Sequence, residues 1–140
     1  MSQALVAGLA AEQAAIYAYA PIGVRLTGAE RAEARAAEAA HRARRDTLVL
    51  RLEQLRVTPS AAPPAYVLPY PVTDRAAALK LAGEIEDGVA ATWRAALRDT
   101  EGGDRGTALA ALTDAAVRAT RWRRLAGVTP LTVPFPGRLG

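Results

Sequence analysis

The stretch TPSAAPPAYVLPYPV, residues 58–72, limits what this chain can become more than any other. Pro59, Pro63, Pro64, Pro69 and Pro71 forbid a helix there and favour an extended, polyproline-like course. On either side the sequence is rich in alanine and carries apolar residues at helical period, so the spacer separates two helical blocks. At about 3 Å per residue it reaches roughly 45 Å. A helix over residues 28–56 is itself about 40–45 Å long. The spacer is therefore long enough to return along a whole bundle, which predicts two helical hairpins joined by one long crossover.

Each block resolves into two helices. Leu5, Leu9, Ile16 and Tyr19 recur at three- and four-residue steps and predict a first helix over about residues 2–26, kinked at Pro21. Thr27 and Glu30 have capping-box spacing, so a second helix starts there and runs through Leu48, Leu52 and Leu55 to about residue 56. Thr73 or Asp74 caps a third, over about 74–99, whose stripe is Leu79, Ala82, Val89 and Trp93. After the turn EGGDRG a fourth spans about 105–126, with Leu109, Leu112, Ala116 and Ala119 facing inward and Gly127 as its stop. The tail, 128–140, holds three prolines and is extended, with Leu131, Val133 and Phe135 laid on the outside. The fold class is all-α, one domain of 140 residues.

Composition excludes several functions. Without cysteine there is no disulfide, thiolate metal site or cysteine nucleophile. With a single histidine, His41, and serines only at positions 2 and 60, no catalytic triad is sensibly built, and nucleotide-binding, zinc-protease and nucleophile-elbow motifs do not occur. The apolar N-terminal run has Glu12 and Gln13 at its centre, where lipid penalises charge, and no Lys or Arg precedes it as in a signal peptide. A soluble, cytoplasmic protein is expected. The net charge of +4 is spread among Arg, Glu and Asp in the manner of a solvated helix face. Arg118, Arg121, Arg123 and Arg124 cluster near the last helix end, which leaves an Arg-rich nucleic-acid-binding module as a minor alternative.

The segments AAEQAAIYAYAPIG, HRARRD, LPYPV and WRRLAGVTP, spread over nearly the full length, resemble ferritin-like domains. They are similar, more narrowly, to a family of bacterial ferritin-like domains of unknown function. That resemblance implies a four-helix bundle and raises the question of a di-iron centre, which takes one Glu from each of two helices and a Glu-x-x-His pair from each of the others. Glu12 falls on the inner stripe of the first helix, Glu38 and His41 on a backward extension of the Leu48–Leu52 stripe, and Glu86 between Ala82 and Val89. These four are the candidate metal ligands. The fourth helix offers no matching pair: Asp114 lies on the polar line with Arg118 and Arg121, and valine follows it three residues later. Close relatives often carry His beside the first-helix Glu, where this chain has Gln13.

Buried carboxylates need a positive charge. Arg45, one turn beyond His41, is the candidate to supply it in place of a metal. Tyr17 and Tyr19 read as core residues more readily than as redox partners of a metal, and Trp93 and Trp122 as packing anchors whose indole N–H groups need acceptors. The expectation is therefore a structural or interaction protein without a complete di-iron centre and without a cofactor, a homodimer, with no nucleic-acid or membrane partner. The alternative is a metal-dependent oxidoreductase or iron-handling protein using iron or manganese in a reduced site.

Overall fold

The computed structural model describes residues 2–138. It contains α1 (Ser2–Val24), α2 (Gly28–Gln54), α3 (Arg75–Ala96) and α4 (Gly102–Ala126), with a short 3₁₀ turn, Leu97–Asp99, after α3. No strand occurs among the described residues. α1 continues through Pro21, which has no N–H to give the Tyr17 carbonyl one turn before it. At the start of α2, Thr27 has the extended backbone of an N-cap but makes no side-chain cap bond. Glu30 turns instead to Arg75, at 2.6 and 2.8 Å. Asp74 is the cap of α3, accepting from the Ala77 amide at 2.8 Å, and Gly127 ends α4 in the left-handed conformation with φ 70°.

α3 packs against both α1 and α4, and α1 against α2, while α2 and α4 scarcely touch through their backbones. The core forms two apolar clusters. One gathers Leu5 and Leu9 of α1, Leu48 and Leu52 of α2, Val89 and Trp93 of α3, and Ala108 and Ala111 of α4. The other gathers Tyr19 and Ile22, Ala34 and Ala37, Leu79 and Ala82, and Trp122. The end of α2 thus lies beside the first cluster and the start of α3 beside the second, with residues 55–74 between them in the chain. Leu68, Tyr70 and Val72 lie against the second cluster, and Tyr66 rests on Tyr17 with ring centroids 5.1 Å apart.

The inner face of α4 differs from the expected one. Ala108, Ala111, Ala115, Ala119 and Trp122 are buried, whereas Leu109 is 54% exposed and Leu112 and Ala116 are intermediate. The helix is turned by about one residue, roughly 100°, relative to a leucine-inward reading. Small side chains face inward where the Trp93 indole of α3 packs with Ala108, Ala111 and Ala115. The tail is strapped down by Arg123, which donates to the Leu131 carbonyl at 2.8 Å, and by Arg94, which donates to that of Pro136 at 3.1 Å. At Gly137 (φ 78°) a Cβ would fall 2.5 Å from the Ala90 carbonyl oxygen, so no larger residue fits that approach. Leu131, Val133 and Phe135 stay partly exposed, and tail residues 139–140 lie outside the described residues.

Candidate functional site

Between the two apolar clusters lies one polar layer. Glu12, His41 and Glu86, from α1, α2 and α3, are each fully buried. His41 donates through Nδ1 to Glu12 Oε2 at 2.5 Å and through Nε2 to Glu86 Oε1 at 2.8 Å. Two ionised carboxylates, one at each ring nitrogen, are both satisfied when the two nitrogens carry hydrogen, that is, when the ring is an imidazolium. Burial by itself would depress its pKa, but the hydrogen bonds and charges of Glu12 and Glu86 outweigh that and lift it to about 9.

The remaining oxygens are held by aromatic donors. Trp93 Nε1 donates to Glu12 Oε1 at 2.8 Å. Tyr19 donates to Glu86 Oε1 at 2.6 Å and accepts from Trp122 Nε1 at 3.0 Å. Burial, then the Glu86 charge and bond, push the Tyr19 phenol well above its usual pKa, so it remains a donor. Its ring also stacks on His41, with centroids 5.8 Å apart. Gly8 places Trp93: a Cβ there would lie 2.2 Å from the indole Cη2, so the ring lies flat on bare α1 backbone one turn before Glu12.

Of the sequence candidates, Glu12, His41 and Glu86 come together. Glu38 and Arg45 do not. Glu38 is half-buried and accepts from Arg42 at 2.8 Å, and Arg45 donates to Asp46 at 2.9 Å on the surface. The charge that meets the carboxylates is that of His41 itself, supplemented by Arg118, whose Nη1 stands 4.0 Å from Glu86 Oε2. Arg118 points inward because it lies between Ala115 and Trp122 at steps of three and four, on the true inner face of α4. Gln13, one residue from Glu12, is only half-buried.

These donors do not fit a divalent ion. Both His41 nitrogens and both Glu12 oxygens are committed to hydrogen bonds, the imidazolium stands between the carboxylates where an ion would sit, and a guanidinium approaches from the fourth side. Among the described residues no three His, Asp or Glu side chains are arranged to hold a metal. What the layer can do is hold one proton tightly between two carboxylates and fix three helices in register.

No curated protein matches this sequence. Among solved structures, the chain is similar to a conserved hypothetical protein, rv2844, from Mycobacterium tuberculosis, at 37% identity with a TM-score of 0.83, over 88% of this chain and 94% of that one. Residues 4–139 match the family described as "Domain of unknown function (DUF4439)", and the chain belongs to that family.

Proposed function

We propose that this chain is a ferritin-like bundle in which a buried ion-pair network stands where metal-binding members of the superfamily hold iron, and that it serves as a structural or interaction protein. The observation that carries the reading is His41 bonded at 2.5 and 2.8 Å to carboxylates from two other helices, which leaves the imidazole no lone pair for a metal. The place of residues 55–74, between the end of α2 at the first cluster and the start of α3 at the second, supports the ferritin-like connection. An oxidoreductase would need a redox centre, and the network supplies charge balance in its place. A basic nucleic-acid face is disfavoured too. Arg123 is committed to Asp87 at 2.8 Å and Arg118 to the interior, so only Arg121 and Arg124 of the basic cluster stand in solvent.

The test is metal content together with proton content. Protein purified without chelator is expected to hold far less than one iron or manganese per chain, and long-range ¹H–¹⁵N spectra near pH 7 to show both His41 ring nitrogens protonated. One tightly held ion per chain, lost in His41→Ala, would overturn the proposal. A homodimer belongs to the same reading, supported by Leu109 and Val117 left 54% and 47% exposed on the outside of α4; sedimentation of the intact chain reads it.

A further inference from the structure

A compact monomer of 14.7 kDa is expected to expose about 6,900 Å² of surface. This chain exposes 7984 Å². The excess, about 1,000 Å², is close to the roughly 800 Å² that each partner buries in a standard protein–protein interface. Part of the bare surface is an apolar patch. Among the described residues, half of the large apolar side chains that stay exposed, Leu109, Val117, Val128, Leu131, Val133 and Phe135, belong to α4 and the tail. Between helix and tail runs a groove of about 350 Å³, lined by Leu112, Ala116 and Val117 of α4 and by Val133 and Pro136 of the tail. Thr113 and Thr120 on its wall donate to their own helix carbonyls at 2.9 and 3.1 Å, and Asp87 accepts from Arg123 at 2.8 Å, so the groove calls for an apolar occupant.

Phe135 stands next to that groove, 55% exposed between Pro134 and Pro136, and it is held outward. The Arg138 amide donates to its carbonyl at 3.1 Å, Arg94 grips the carbonyl of Pro136, and Gly137 is seated against Ala90. An aromatic side chain fixed in solvent loses little freedom on binding, which is the character of an interface anchor. The Arg138 guanidinium lies 5.7 Å from the ring centre, while Asp87 on the groove wall is half in solvent. An apolar knob beside a positive charge and an apolar groove beside a negative one therefore sit side by side. That is the arrangement an isologous contact needs, since one patch must serve both copies. We propose that a second copy of this chain docks on the α4–tail face, with each copy's Phe135 seated in the other's groove and each copy's Arg138 brought toward the other's Asp87. This rests on the homodimer reading above and adds where that dimer is held.

The experiment is sedimentation equilibrium of the intact chain and its variants across the micromolar range, with helical content checked by circular dichroism. The unaltered chain is expected at twice 14.7 kDa. Phe135→Asp is expected to raise the dissociation constant at least a hundredfold, Val117→Asp on the groove wall at least tenfold, and Arg138→Glu severalfold, each with its helical content kept. Leu50→Asp, on the exposed side of α2, is the control and is expected to leave association unchanged. An unaltered chain that stays single over this range would overturn the interface and the homodimer reading together. A dimer that survives both Phe135→Asp and Val117→Asp, or that Leu50→Asp dissociates as strongly as they do, would overturn the interface alone, because the two copies would then meet on another face.

Discussion

The α1–α3 contact and the α2–α4 seam are built from opposite materials. Between α1 and α3, Gly8 lets Trp93 lie on the helix backbone, and the indole reaches back to complete the hydrogen bonding of Glu12. Every polar atom of Glu12 is matched, and apolar side chains enclose it. Between α2 and α4 the backbones stand apart, and the gap is crossed by Arg44–Asp114 and Arg51–Asp104 pairs that reach solvent. The unpartnered buried atoms, Arg44 Nη1, Arg118 Nη1 and Glu86 Oε2, fall on that side. A satisfied buried network specifies one packing arrangement; a partly satisfied one fixes it less firmly. The contrast locates close packing on one side of the bundle and solvent-reaching charge pairs on the other.

The sharpest break of that contrast is pH, because His41 is charged only while protonated. Its folded pKa of about 9 exceeds the ordinary 6.5. The stabilisation is therefore fully present below about pH 6.5 and is lost as the pH rises through 9, a change on the order of 3 kcal/mol. The groups that face the ring are Glu12 and Tyr19 from α1, Glu86 from α3 and, behind Glu86, Arg118 from α4. Urea midpoints measured from pH 6 to pH 9.5 are expected to fall steadily, and to flatten in His41→Phe. A metal-held histidine behaves oppositely, since an ion binds the neutral ring and gains affinity as pH rises. Stability that climbs over this range would contradict the ion-pair account.

Gly8→Ala attacks the packed side alone. The added methyl would meet the Trp93 ring at 2.2 to 2.8 Å, and the ring is fully buried with little room to retreat. Overpacking of this kind costs about 1–3 kcal/mol, against at most about 1 kcal/mol gained from replacing a helical glycine by alanine. The expected result is a net loss of about 1–2 kcal/mol, together with a red shift in tryptophan fluorescence as the indole leaves Glu12. Unchanged stability and an unchanged spectrum would mean that the indole does not depend on the bare backbone at position 8.

How far the site could be read from sequence follows the same division. Glu12, His41 and Glu86 were legible because they fall on stripes whose neighbours are large and apolar, and the need of both tryptophans for acceptors was legible from their chemistry. Glu38 fails because the inner line of α2 runs Ala34, Ala37, His41, Leu48, Leu52, and a residue one step from Ala37 is turned by about 100°; Arg45 has the spacing of that line, at four residues from His41 and three from Leu48, but its long side chain carries the guanidinium out to Asp46. α4 misled for a related reason. Leucine marks the inner face of many amphipathic helices, but beside α4 the Trp93 indole already occupies the room, so alanine goes in and Leu109 goes out. An alanine line at 108, 111, 115 and 119 ending on Trp122 was the available signal, and it would have turned Arg118 inward. Gly8 gave no signal of its own, because its role depends on a ring from residue 93.

The smallest effect belongs to the open side and tests it most directly. Arg51 grips Asp104 with two parallel bonds, Nε to Oδ1 at 2.8 Å and Nη2 to Oδ2 at 3.0 Å, with the arginine 41% exposed. Such a pair in water is worth about 0.2–1 kcal/mol. Asp104 also lies in the first turn of α4, where the helix dipole adds about 0.3–1 kcal/mol for a negative charge. Arg51 stands in the last turn of α2, where the dipole favours a positive charge by a similar amount, so Asp104→Ala and Arg51→Ala are expected to cost about the same and the double variant less than the sum of the two. The coupling should be at or below about 1 kcal/mol and fade at about 1 M salt, where the screening length is near 3 Å, whereas the cost of Gly8→Ala stays constant with salt. A coupling of several kcal/mol that survives high salt would mean that the seam is held as firmly as the α1–α3 side, and the division of the bundle into a closely packed half and an open half would have to be given up.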